Sequence, residues 1–174
     1  LPQGPDFIIK CMKELEKLDQ VKLVIAGSGS HANQIEEAII SNSMKNSIYM
    51  NHLPVQEYNN LTAVCDIGLI FLDVRFTIPN FPQRLLSYLK ESKPVICATD
   101  NATDIGRIAE DFAFGVSVQS NDVSAWIKAV KRLSNDPELR HTMGKHGLEY
   151  LMNNYDVAIA YSLIIQQLKE KNYV

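Results

Sequence analysis

Five short apolar runs recur along the chain, each separated from the next by a stretch long enough for one helix. They are Val21–Ala26, Ser47–Met50, Ile67–Ile70, Pro94–Ala98 and Gly115–Val118. The first, Val21-Lys22-Leu23-Val24-Ile25-Ala26, is too short and too β-branched for a helix. It is nearly all apolar, as a strand covered on both faces must be. The first intervening segment places Phe7, Ile8, Cys11, Met12, Leu15 and Leu18 on one helical face and Lys10, Lys13, Glu14 and Lys17 opposite, with Asp6 positioned to cap it. A second helix turns Ala32, Ile35, Ala38 and Ile39 inward, and further helices are predicted near Val55–Val64, Pro82–Glu91 and Ile105–Glu110. Alternation of this kind with short connections predicts a parallel sheet of right-handed β-α-β units, a Rossmann-like three-layer α/β/α domain. After the last run only helices follow, at Ser124–Ser134, Pro137–Met152 and Asp156–Lys171. Asp136 before Pro137 reads as a cap followed by a first-turn proline.

The 174 residues, 46% hydrophobic and 21% charged, suffice for one sizeable core, so a single domain over residues 1–174 is expected. A net charge of -3 gives no electrostatic reason to bind nucleic acid or anionic lipid. Cys11, Cys65 and Cys97 lie far apart in apolar settings, without metal-ligand or disulfide-framework spacing, and read as reduced thiols in the cytosol. No metal is expected. No run approaches the roughly 20 apolar residues of a membrane span. The loop-like opening Leu1-Pro2-Gln3-Gly4-Pro5 leads into a helix with no strand before it, as in an excised fragment.

Ligands of an open parallel sheet bind beyond the carboxyl ends of its strands, where loop amides and helix N-termini converge. Four segments occupy that rim. In Gly27-Ser28-Gly29-Ser30 the glycines let backbone approach a ligand, although His31, Ala32 and Asn33 follow where a dinucleotide fingerprint has another glycine. Asn51-His52-Leu53-Pro54 offers backbone groups for a nucleobase edge and a flat or apolar surface from His52 or Leu53. The long segment from Phe71 ends in a helix whose first turn carries Arg84, a guanidinium able to fork onto phosphate or simply to sit in solvent. In Ala98–Asp104, Thr103 and the loop amides suit a diphosphate or sugar hydroxyls, and Thr103 or Asp104 equally suits a helix cap.

The order of these motifs carries a family resemblance. Lys22–Gly29, then Asn51-His52-Leu53-Pro54 with Gln56-Glu57-Tyr58, then Ala63–Leu69, then Arg84 to Val95, resembles the donor half of GT-B-fold retaining glycosyltransferases of the glycogen-synthase and sucrose-synthase superfamily. Bacterial enzymes of capsule, exopolysaccharide and lipopolysaccharide O-antigen assembly are most similar, and Asn135–Arg140 with Met143, Gly144 and Gly147 resembles that family's terminal helices. The resemblance implies binding of a nucleotide-diphosphate sugar of UDP or GDP type, without a cofactor, for transfer of a hexose or acetamido-sugar to a growing glycan or lipid-linked acceptor. It implies Gly27, Ser28 and Gly29 at the nucleotide-phosphate region, His52 and Leu53 near the base, and Arg84 on the diphosphate. Ser87 and Tyr88 would shape the ribose or sugar pocket, and Thr103 would meet phosphate or sugar. The family's paired glutamates correspond to Pro79 and Ser87, a departure that resembles a subgroup represented here by Pro82, Arg84 and Tyr88. The resemblance also implies that a first strand and an acceptor-binding domain are missing. The isolated domain would then be inactive. It would be cytoplasmic, reaching the inner face of the plasma membrane only through the missing domain. A GT-B-like sugar-nucleotide epimerase and a non-catalytic α/β module are the rival readings.

Overall fold

The computed structural model describes residues 3–75, 78 and 80–171, over which helix and strand alternate as the sequence pattern predicts. The order is α1 (Pro5–Leu15), β1 (Leu23–Ala26), α2 (Ala32–Ser41), β2 (Ser47–Met50), α3 (Val55–Val64), β3 (Gly68–Phe71), α4 (Arg84–Lys90), β4 (Val95–Thr99), α5 (Ile105–Asp111) and β5 (Gly115–Gln119). Three helices close the chain, α6 (Val123–Asn135), α7 (Pro137–Asn154) and α8 (Val157–Glu170).

All strand pairings are parallel, but the strands form two ladders where one was expected. Strand β1 pairs β2 from Leu23↔Ser47 to Ala26↔Met50, and β4 lies between β3 and β5. No ladder joins β1 to β3 among the described residues. A doubly wound sheet of order 3-2-1-4-5-6 has its first strand in the middle. The observed pairings match that order on either side of its first strand, which is where the sheet divides.

Successive side chains of a strand point to opposite faces, and here they build two cores. Phe71, Ile96, Ala98 and Val118 meet α1 through Phe7, Cys11 and Met12, and α6 through Trp126 and Leu133. Leu23 and Ile35 join the same cluster, so both ladders share it. On the other face Ile70, Val95 and Cys97 meet Leu85 and Leu89 of α4, Ile105 and Ala109 of α5, and Tyr150 of α7. Close approach at this face requires glycine: a β-carbon on Gly144 of α7 would stand 2.0 Å from the Ser92 carbonyl oxygen. The Trp126 indole N–H is buried without an acceptor among the described residues, at a cost of about 1–3 kcal/mol.

Helix ends follow their local chemistry. Asp136 and Asp156 cap α7 and α8 by accepting from the Leu139 and Ala158 amides at 2.9 and 2.7 Å. Asp122 caps α6 through the Ala125 amide, so this helix starts at Val123, one residue before the predicted Ser124. Asp6 is not the cap of α1. Gly4, at φ 58°, occupies the cap position ahead of Pro5, and the Asp6 carboxylate accepts from Gln34 Nε2 of α2 at 2.8 Å. Helix α8 has no buried residue, and Val157, Tyr161 and Ile164 of its expected apolar face are exposed.

Candidate functional site

The carboxyl end of β1 opens into a cavity of about 270 Å³. Its floor is apolar, from Ile8, Ile25 and Ile35, and its wall is the run Gly27–His31. The ladder with β2 continues one residue past β1, because the Gly27 amide donates to the Met50 carbonyl at 3.1 Å. Gly27 then turns away at φ 146°, a backbone region that side chains disfavour. β-Carbons on Gly27 or Gly29 would meet no atom within 4 Å, so neither glycine is required by packing. The amides of Ser28, Gly29, Ser30 and His31 have no protein acceptor among the described residues. Helix α2 begins directly after them, with no side-chain cap and no acidic residue in its first turn. Exposed successive N–H groups at the positive end of a helix favour an anion.

This rim is continuous with the carboxyl end of β3. Gln3 and Pro5 line the Gly27 cavity, while a β-carbon on the intervening Gly4 would lie 3.4 Å from the Asp73 α-carbon. Asp73 is buried and accepts from Arg75 Nε at 2.8 Å and Arg75 Nη2 at 2.6 Å. The Arg75 guanidinium holds its carboxyl down to a pKa of about 2, against the opposing effect of burial. Sequence reading did not single out Asp73: its partner Arg75 is only two residues away, but its burial and its neighbour Gly4 are apparent only in three dimensions.

Arg84 and Ser87 stand one turn apart on α4, both half-buried. They line a second hollow, of about 640 Å³, with Tyr58, Phe81, Gln83 and Leu86. Gly27–Gly29 line the first cavity and Arg84 and Ser87 the second, on one rim but with no lining residue in common. His52 and Leu53 follow β2 on the loop before α3 and line neither hollow. The expected site position Pro79 lies outside the described residues.

Two of the expected site residues make contacts within the protein. Tyr88 turns to the sheet: a β-carbon on Gly68 would stand 2.4 Å from its ring, and its hydroxyl faces the Leu69 carbonyl at 3.4 Å. Burial pushes its hydroxyl pKa up to about 12. Thr103 is buried, and both its amide and its hydroxyl donate to Asp100, at 2.9 and 3.0 Å. Its donors are spent inside the turn before α5. Cap position there belongs to Asp104, whose side chain makes no capping bond.

The sequence pattern of the family described as Glycosyl transferases group 1 matches residues 2–150, from the segment before α1 to within α7. The chain belongs to this family. A curated relative, the probable glycosyltransferase WbjE of Pseudomonas aeruginosa, is 21% identical over 131 residues, which are 75% of this chain and 32% of that protein. This group 1 chain thus spans about a third of that relative's length. Among solved structures, Anabaena Alr3699/HepE in complex with UDP superposes with a TM-score of 0.77 at 15% identity, over 97% of this chain and 45% of that one. The C-terminal domain of the group 1 protein LpcC of Francisella tularensis gives a TM-score of 0.71 at 16% identity, over 90% of this chain and 81% of that one. Identities this low establish a shared fold. The group 1 member described here is therefore an α/β domain of the GT-B architecture, with the glycine loop after β1 and the head of α4 on one rim.

Proposed function

We propose that this domain binds the nucleotide-diphosphate sugar of a glycosyltransferase, with the cavity behind Gly27–His31 taking the nucleotide-phosphate region. The observation that carries the reading is the run of amides from Ser28 to His31, without an acceptor among the described residues, ahead of the uncapped α2 and beside an apolar floor. His52 or Leu53 sits beside the base, and Arg84 with Ser87 takes the diphosphate and an adjoining hydroxyl from the head of α4. Main-chain donors and a guanidinium placed on a departing diphosphate stabilise the charge that develops as the glycosyl bond breaks. A UDP-bound protein among the structural neighbours supports a nucleotide of this kind.

The donor is a UDP or GDP sugar carrying a hexose or acetamidohexose, and the product belongs to capsule, exopolysaccharide or O-antigen synthesis in the cytoplasm. An acceptor-binding domain and one further strand complete the enzyme, and the domain alone does not turn over. The division of the sheet between β1 and β3, and the greater length of the relatives, support that completion.

Titration of the protein with UDP and GDP, followed by amide NMR, tests the site. Saturable binding that moves the Ser28–His31 resonances is expected, and Arg84→Ala is expected to weaken the diphosphate about tenfold, the order of one charge-assisted hydrogen bond. No saturable binding of either nucleotide would remove the reading, and unchanged affinity in Arg84→Ala would remove that residue from the site.

A further inference from the structure

The glycine loop is exposed and has little packing of its own, yet both main-chain groups of Gly27 are tied to β2. Its N–H donates to the Met50 carbonyl at 3.1 Å, and its carbonyl accepts from the Tyr49 hydroxyl at 2.7 Å. Tyr49 is paired with Ile25 across the ladder, packs its ring against the core and lines the same cavity. In a trans peptide the carbonyl and the next N–H lie in one rigid plane and point in opposite directions. A fixed Gly27 oxygen therefore fixes the direction of the Ser28 N–H, the first of the amides without an acceptor among the described residues. Gly27 at φ 146° has no β-carbon, and no atom would be near one, so side-chain packing cannot set this peptide plane.

We infer that Tyr49 is a positioning residue of this site: its hydroxyl sets the Gly27–Ser28 peptide and so presents the Ser28–Ser30 amides to a phosphate group. The inference rests on the nucleotide-diphosphate reading of the cavity. Because the hydroxyl acts through the loop amides, its removal weakens the phosphate part of a ligand and spares the nucleoside. A residue needed only for folding weakens both alike.

The test is Tyr49→Phe, which keeps the ring against the core. Whichever of UDP or GDP binds the unsubstituted protein is titrated against both forms, with the matching nucleoside in parallel. The expected result is a dissociation constant raised about 2- to 12-fold for the diphosphate, the range of one neutral hydrogen bond, with the nucleoside unchanged. Shifted Ser28 and Gly29 amide resonances in the ligand-free variant are expected as well. Unchanged diphosphate affinity with unchanged Ser28–Ser30 resonances overturns the inference while leaving the site reading intact. Equal losses for diphosphate and nucleoside overturn it too, by showing general damage to the cavity. Failure of both nucleotides to bind the unsubstituted protein removes the site reading itself, and the role of Tyr49 with it.

Discussion

The two ladders differ in how fully they are covered. Every residue of β4 is buried, with helices on both faces, whereas β1 and β2 each bury one residue and leave Ile48 44% and Met50 38% exposed. The three-stranded half takes part in both cores, whereas the two-stranded half takes part in one and carries the glycine loop. Rigidity and accessibility are thus divided between neighbouring parts of one domain. A binding loop needs open backbone, and backbone is open only where packing is incomplete.

The contrast is broken most directly by truncating one side chain in each half. Leu89, fully buried between β3, β4 and α7, is expected to cost about 2–5 kcal/mol as Leu89→Ala, from lost transfer energy and the cavity left behind. Ile48→Ala, on the exposed strand, is expected to cost less than about 1 kcal/mol, since much of its apolar area is already in water. Urea denaturation of both variants measures the difference. Equal losses would mean that the two-stranded half contributes as much to stability as the buried one.

A smaller effect sharpens the boundary between the halves, where Asp73 sits against Gly4. Its folded pKa of about 2 lies below the ordinary 3.8, so the carboxylate stabilises the fold at pH values above the ordinary one. That contribution is lost as pH falls from about 4 toward 2. Melting temperature measured over this window is expected to fall less steeply in Asp73→Asn than in the unsubstituted protein. Parallel curves would show that Asp73 has no part in acid unfolding.

Much of this organisation is visible in the chain itself, because strand and helix periods are local. The limits of β2 and α3 agree with their apolar patterns, and Asp136-Pro137 marks the start of α7. The split of the sheet is not local, since no residue of β1 or β3 records which strand lies beside it. The partners of Asp6, Tyr88 and Thr103 are hidden for the same reason. Each has the chemistry of its expected role, and each is claimed by a neighbour: Gln34 of α2, the bare surface at Gly68, and the buried Asp100. Gly27–Gly29 could be located as a rim loop from the strand-to-helix transition alone. Tyr49 could not, because its hydrogen bond joins residues 22 apart in sequence and a hydroxyl inside a strand carries no signal of a loop partner.

The smallest expected effect on the fold separates binding from folding at the glycine loop. Gly27→Ala must adopt φ near 146° and is expected to cost roughly 1–3 kcal/mol. Gly29 has neither a positive φ nor any atom within 4 Å of its would-be β-carbon. Gly29→Ala should therefore leave stability unchanged to within about 0.5 kcal/mol, as surface substitutions do. Its added methyl group stands in the open space that a ligand approaching the loop amides must enter, so nucleotide affinity should fall while urea denaturation does not change. A variant as stable as the parent that binds nucleotide equally well would show that the backbone at Gly29 is not approached, and would move the phosphate away from β1 toward Arg84 on α4.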